Sequence, residues 1–312
     1  MTFEHTSVMS EEVQKYLRLK QGDICVDCTL GGSGHAGQSI KAILPGGKFI
    51  GIDQDMDAVL NAKLILKEPS KNIELIHDNF VNLPHILESL QIKGADGILL
   101  DLGLSLNQLK NSKRGFSFQK NETLDMRMDT REQLTAMEII NSFNEKDLAD
   151  IFFKYGEERM SRRIAKNITK KREGKPIKTS RELAQIVKES IPAKISFKKK
   201  IHPATKVFQA LRIFVNKELS RLEKFMETIP GLLNIHGRLV VISFHSLEDR
   251  IVKKQIKKFE DGCTCPGKLP KCACGFEKKL KSVFKKPLAP SLKEIEVNPM
   301  ARSAKMRVAQ RV

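Results

Sequence analysis

Tryptophan is missing from this 312-residue chain, tyrosine occurs twice, and aromatic residues make up 6% of it. Broad stacking platforms for planar ligands are therefore not expected. No apolar run approaches the roughly 20 residues of a membrane-spanning helix. The segment Met1 to Leu17 mixes Glu4, Glu11, Glu12 and Lys15 with apolar side chains, without the basic start and apolar core of a signal peptide. These absences lead to the expectation of a cytoplasmic protein with no membrane partner. Internal repeats and low-complexity segments are also lacking.

What is present is charge, unevenly placed. The net charge is +18, yet residues 1–158 carry 17 Lys and Arg against 24 Asp and Glu, a net of −7. Residues 159–224 carry 20 against 5, a net of +15, and residues 253–312 a further +11. Scattered lysines are usually a solvated surface, but +15 within 66 residues points to a docked polyanion. Without a membrane anchor, that polyanion reads as nucleic acid.

The first hundred residues alternate short apolar runs with amphipathic segments, the pattern of a parallel sheet covered on both faces. Strands are expected near 23–30, 48–53, 73–77 and 95–101, with helices near 35–44, 56–67 and 82–91. Residues 106–130 are polar and loop-like. Helical periodicity follows at 131–142, 145–154, 158–172 and 179–190, then as one long helix from Ala204 to about Thr228. Strand character returns at Gly237–Ser243, followed by a helix near 247–259 and β-like runs near 280–285 and 304–309. The domain expectation is a core in two parts, 1–105 and 205–312, interrupted by a helical insertion at 106–204 that carries most of the basic charge.

One stretch organises the first part. Asp27-Cys28-Thr29-Leu30-Gly31-Gly32-Ser33-Gly34-His35 reads as a strand end, a glycine-rich turn and a helix start, and the next strand ends in Asp53. This is the wiring of a nucleoside site, with backbone close to the ligand and an acid placed for ribose hydroxyls. The spacing of Gly31, Gly32 and Gly34 does not match G-x-G-x-x-G, and an ordinary strand-to-helix turn is the rival reading. Asp27, Asp53, Asp78 and Asp101 all fall at strand ends, where ligands of such sheets bind.

The six cysteines form two groups. Cys25 and Cys28 have opposite parity on one strand and read as small buried hydrophobes. Cys263, Cys265, Cys272 and Cys274 lie within twelve residues. In a reducing compartment they suggest tetrahedral zinc, although C-x-C is tighter than the usual spacing and a reduced surface loop is the alternative.

Further strings run through the chain in order: His5-Thr6-Ser7-Val8, Ile98 to Gly103, Arg114-Gly115-Phe116-Ser117-Phe118, Leu124 to Asp129, and His202-Pro203-Ala204-Thr205. After them come Phe208 to Ile213, Ser243 to Arg250 and Ala301 to Lys305. With Asp27 to His35, they resemble the family of small-subunit ribosomal RNA N4-cytidine methyltransferases known as RsmH, formerly MraW. The resemblance implies an α/β fold, a doubly wound (Rossmann-like) S-adenosylmethionine methyltransferase sheet with a helical insertion domain after the fourth strand. It implies S-adenosylmethionine as methyl donor and, as acceptor, the N4 amine of a cytidine in the decoding region of 16S rRNA. The substrate would be that RNA within the 30S subunit or a late precursor, and a homodimer is permitted.

By motif position, the implied cofactor contacts are Ser33, Gly34, His35, Asp53, Phe80, Asp101 and Gln108. For Phe80, covering the adenine competes with plain core packing. The departures, at Leu104, Leu106, Asn107, Lys110, Thr123 and Met300, affect local loop shape and substrate contacts.

A cytosine amine is a weak nucleophile because its lone pair is delocalised into the ring. A carboxylate or carbonyl that accepts its N–H can hold it for attack on a methyl sulfonium. Asp101 is the candidate for this catalytic role beside its implied cofactor contact, and the chain has no equivalent of the Asp/Ser/Asn-Pro-Pro-aromatic tetrapeptide of other amine methylating enzymes. Phosphate contacts are expected at Lys198, Lys199, Lys200, Lys206 and Arg212, with Phe116, Phe118 and Phe197 as stacking or core residues. A nicotinamide dehydrogenase fits the strand pattern but not the glycine spacing. An RNA-binding assembly factor with a decayed pocket would not need to keep Asp53 and Asp101.

Overall fold

The structure is a computed structural model that describes residues 7–66, 71–192, 201–263, 265 and 273–312. By its internal contacts the chain forms two units, one of residues 1–103 with 219–312, the other of residues 104–218.

The first unit is built on one seven-stranded sheet. Its strands are β1 (Ile24–Asp27), β2 (Lys48–Asp53), β3 (Ile73–His77), β4 (Ala95–Asp101), β5 (Leu233–Ser243), β6 (Leu280–Ser282) and β7 (Lys305–Arg311), ordered β3-β2-β1-β4-β5-β7-β6. The first five run parallel, and β7 pairs antiparallel with both β5 and β6. From β1 the chain moves outward through β2 to β3, then returns to the other side of β1 as β4. The order therefore reverses between β1 and β4, and at such a switch point the loops diverge and leave a crevice.

Burial follows the two-residue alternation of each strand. One face presents Val26, Ile50, Ile98, Leu100, Leu239 and Val241 to a cluster closed by Leu222, Phe225, Val252 and Ile256. These last come from helices Glu218–Leu232 and Ser246–Asp261. The other face is covered in two parts. Cys25 and Phe49 pack with Ala36, Ile43 and Val59, while Leu99, Val240 and Ile242 pack with Val13, Leu17 and Met306. Cys25 and Cys28 thus belong to different clusters, as their parity requires, and burial pushes both thiols up.

Helix α1 (Ser10–Leu17) was not legible as an element of the sheet's cover, because Val13 and Leu17 are its only buried positions. Helices α2 (Gly34–Ile43), α3 (Met56–Ile65) and α4 (Leu83–Ser89) fill the crossovers. Strand β5 begins earlier than the hydrophobic run suggests. Leu233 pairs with Ala95, and an irregularity between Ala95 and Gly97 separates it from the regular register that starts at Arg238.

The second unit is helical: α5 (Leu106–Lys110), α6 (Ala136–Ser142), α7 (Glu145–Gly156), α8 (Ser161–Gly174), α9 (Ser180–Ser190) and α10 (Thr205–Val215). Its core gathers Ile140, Phe152, Ile164, Ile168, Val187, Val207 and Leu211 with Phe116, Leu124 and Met126 from the preceding loop. The single long helix expected from Ala204 is two, α10 and α11 (Glu218–Leu232), broken at Asn216-Lys217 where Lys217 takes φ 52°. Asn216 explains the break. Its side chain donates to Met126 O and accepts from Met128 N, both at buried positions, which requires a turn there. The expected helix at 131–142 is trimmed to Ala136, where Thr135 and Glu138 form a reciprocal capping box.

No helix among the described residues is long and apolar enough to cross a membrane.

Candidate active site

The ends of β1, β2 and β4 carry Asp27, Asp53 and Asp101 to one rim of the sheet. The turn after β1 is held in a shape that few residues accept. Gly31 has φ 45°, and Ser33, the residue before α2, has φ 64°. A non-glycine residue in that region costs about 1 kcal/mol, and such strain gathers at ligand sites. Two hydrogen bonds fix the turn: Gly31 N–H donates to Asp53 Oδ2 at 2.9 Å, and Asp101 N–H donates to Thr29 Oγ1 at 2.7 Å. The second ties the ends of β1 and β4 together across the switch point.

Asp53 also accepts from Asp55 N–H through Oδ1 at 2.9 Å. Beside it, Gln54 Oε1 accepts from Asn79 Nδ2 and from Arg221, and His77 Nε2 sits 3.0 Å from Gln54 O, so the loop after β2 is braced on several sides.

The unusual feature lies between β1 and β4. Asp27 is 1% exposed and accepts from Thr29 N–H through Oδ1. Its Oδ2 has no hydrogen-bond partner among the described residues, and neither has Ser33 Oγ, either ring nitrogen of His35, or Asp101 Oδ1. His35 Nε2 is 3.6 Å from Asp101 Oδ2, an ion-pair distance beyond good hydrogen-bond length. Burial pushes the Asp27 carboxyl up to about 7, against the opposing pull of His35 and the Thr29 N–H. Burial works against a charged His35, but Asp101, Asp27 and Glu294 outweigh it and raise its pKa.

Buried polar atoms without partners are rare in folded proteins. Five of them at one switch point, among three carboxylates, describe a cradle for a polar ligand with cationic character. The residues fit the amino-acid end and sulfonium of S-adenosylmethionine, while the Asp53 carboxylate fits its ribose.

The chain matches the MraW methylase family over residues 2–312. It belongs to that family. A protein named ribosomal RNA small subunit methyltransferase H from Desulforapulum autotrophicum is 59% identical over 312 residues, all of both chains. Proteins of the same name from Clostridium botulinum and Halothermothrix orenii are each 48% identical, over 312 and 309 residues, covering 99% or more of every chain.

Against the MraW pattern, the structure gathers Ser33, Gly34, His35, Asp53 and Asp101 at the rim. Phe80 is 8% exposed and packs edge-on against Phe225, with ring centroids 5.2 Å apart. Gln108 lies in the helical unit, where its Oε1 accepts from Ser105 N–H in the capping box of α5. On the sequence Asp27 is only a strand-end acid. Its burial is a tertiary property with no local signal.

Other MraW strings have structural work. Gly115 takes φ 73°, and a Cβ there would stand 2.3 Å from Thr123 O. Arg114 Nη1 donates to the carbonyls of Arg127 and Met128, closing the loop on itself. In Ser243 to Arg250, His245 and Glu248 form the capping box of α12 (Ser246–Asp261), and Asp249 pairs with Arg307 at 2.6 Å.

Of the expected phosphate contacts, Lys198, Lys199 and Lys200 lie outside the described residues, as does Phe197. Lys206 Nζ donates to Glu157 O at 2.8 Å. Arg212 is held by Glu218 through two 2.9 Å hydrogen bonds, with both side chains 12% exposed. Phe116 is core, and Phe118 stacks on His202 at 4.4 Å. Sequence reading passed over Arg162, Arg163, Lys166 and Lys170, all exposed on α8. Their spacing puts them on one helix face, which the 3.6-residue period would have revealed.

Proposed function

We propose that this MraW methylase transfers a methyl group from S-adenosylmethionine to the N4 amine of a cytidine in the decoding region of 16S rRNA. The observation that carries the cofactor half is the set of unpartnered buried atoms at Asp27, Ser33, His35 and Asp101. The names of the full-length relatives support a small-subunit rRNA substrate. S-adenosylmethionine supplies, when bound, an electrophilic methyl group on sulfur.

The protein's own contribution is placement. The Asp53 carboxylate takes the ribose hydroxyls, and the backbone of Ser33, Gly34 and His35 lines the methionine portion. Asp101 Oδ1 accepts an N–H of the cytidine amine and turns its lone pair toward the methyl carbon. The amine proton departs after transfer, so no strong base is required. Phe80 completes the cofactor contacts in this reading.

RNA is held by the basic helical unit, through the exposed face of α8 together with Lys198, Lys199, Lys200, Lys206 and Arg212. The enzyme works in the cytoplasm on the 30S subunit or a late precursor, as a single chain or a homodimer. RNA affinity is expected to fall with salt, log K dropping by roughly 0.7–0.9 per phosphate neutralised for each decade of salt.

The test is incubation with isotopically labelled S-adenosylmethionine and small subunits that lack the modification. Mass spectrometry then locates the label. Label on N4 of a decoding-region cytidine is the expected result. Tight RNA binding without any transfer would overturn the proposal in favour of an assembly factor.

A further inference from the structure

The segment between α12 and β6 is rich in cysteine and poor in large apolar side chains. Residues 263–275, Cys-Thr-Cys-Pro-Gly-Lys-Leu-Pro-Lys-Cys-Ala-Cys-Gly, offer one large apolar side chain, Leu269, against four cysteines. Segments without enough apolar surface for a core need a disulfide or a metal as a staple.

The two ends of the excursion are already pinned. Lys279 N–H donates to Phe259 O at 2.9 Å, and Ser282 N–H donates to Glu260 Oε1 at 3.1 Å. Lys278 Nζ is 3.6 Å from the same carboxylate, and the Phe276 ring lies over Gly262. This stem fixes where Cys263 leaves α12 and where Cys274 comes back. One step beyond it, the sulfurs of Cys263, Cys265 and Cys274 all lie within 4.8 Å of one another. Cys263 Sγ and Cys274 Sγ are 3.6 Å apart.

That separation fits a shared metal and does not fit a disulfide. It is far longer than the roughly 2.05 Å of a disulfide. It is close to the edge of a tetrahedron of sulfurs around zinc, about 3.8 Å for Zn–S bonds of about 2.3 Å. A second observation points the same way. Ala273 N–H donates to Cys265 Sγ at 3.2 Å, and a backbone donor aimed at sulfur favours the thiolate. Lys253, Lys254, Lys257, Lys258, Lys278 and Lys279 flank the cysteines in sequence and offset the negative charge of a multi-thiolate site.

We propose that Cys263, Cys265 and Cys274 are ligands of a structural zinc ion that closes this excursion onto the end of α12. Three sulfurs leave one position of the tetrahedron, and Cys272, the fourth cysteine of the expected set, lies outside the described residues. A thiolate set of this kind selects zinc, copper(I) or iron–sulfur clusters over magnesium or calcium. On binding, each ligand thiol loses its proton, so zinc uptake by the reduced protein releases protons, one for every thiol that becomes a ligand.

The test uses the full-length chain without a histidine tag, purified under reductant, with metals measured by plasma mass spectrometry. About one zinc per chain is expected. Cobalt(II) added to the stripped protein should give thiolate-to-metal charge transfer and the visible bands of a tetrahedral ion. X-ray absorption should show three or four sulfurs at about 2.3 Å. Cys263→Ser and Cys274→Ser should each weaken zinc binding by more than the roughly 100-fold typical of an outer-sphere change. Cys25→Ala should leave it intact. Zinc retained by the Cys263→Ser/Cys274→Ser double variant would overturn the proposal, as would stoichiometric copper or iron in zinc's place. So would a stripped wild-type chain that gives no charge-transfer band with cobalt. Because methyl transfer is read separately, failure of the zinc proposal is distinguishable from failure of the enzymatic one.

Discussion

Replacing Asp27 with Asn removes one ionisable group from the buried space between β1 and β4 while keeping the acceptor for Thr29 N–H. In the folded protein the Asp27 carboxyl is pushed up to about 7 from an ordinary value of 3.8, chiefly by burial. An unfolded chain gives up this proton near 3.8 and the native chain near 7, so between those values the native state holds about one proton more. The stability this protonation contributes is fully present below the lower value and is lost as pH rises through the upper one. The slope is about −1.4 kcal/mol per pH unit for one proton. Over the whole window of about 3 units the ceiling is roughly 4 kcal/mol, of which about 2 kcal/mol falls between pH 5 and 7.

His35 has the same sign. Its folded pKa is raised, so its contribution is also lost as pH rises, and part of that contribution vanishes with the Asp27 charge. Urea unfolding from pH 5 to 8 measures the effect. With no tryptophan, the two tyrosines are the intrinsic probes, and Tyr155→Phe leaves Tyr16, in the sheet unit against Phe284, as the reporter. In that background, Asp27→Asn should gain stability relative to Asp27 as pH rises, by at least 2 kcal/mol across the range. Subtraction cancels the groups common to both proteins. A difference that does not change with pH would refute the account of Asp27 as a buried, protonatable carboxyl.

Asp53→Asn should weaken S-adenosylmethionine binding by about 10- to 100-fold in calorimetry, the value of one or two charge-assisted hydrogen bonds. An unchanged Kd would remove Asp53 from the site. Gly115→Ala places a methyl 2.3 Å from Thr123 O at a φ of 73° and should destabilise the helical unit by more than 2 kcal/mol. Circular dichroism melts would show it, and a neutral result would mean that the loop relaxes freely. Glu218→Gln leaves the Arg212 guanidinium without its charged partner and should cost about 3 kcal/mol. The double change Arg212→Met/Glu218→Leu should recover most of that loss, and failure to recover would assign the cost to packing instead of charge.

The strand-helix alternation of the first hundred residues was legible because burial on both faces writes each parallel strand as a continuous apolar run. Gly31, Ser33 and Asp53 were legible for a similar reason: a tight turn and a strand-end acid are local necessities. The MraW strings added roles that no periodicity could supply. Helix boundaries set by one side chain were not readable. Asn216 ends α10 because it bonds to Met126 and Met128, some ninety residues away in sequence. The commitment of Arg212 to Glu218 was equally hidden, since a lone basic residue in a +15 window looks like every other.

The sequence by itself determined the α/β class, the glycine-rich turn after β1, the basic helical segment and the spacing of four cysteines. All of these are properties of neighbours along the chain. Only the tertiary structure decided that β1 and β4 lie side by side, and so that Asp27, His35 and Asp101 share one buried space. Burial and the company of other charges are set by residues distant in sequence, and they turn an ordinary strand-end aspartate into a carboxyl that titrates near neutrality.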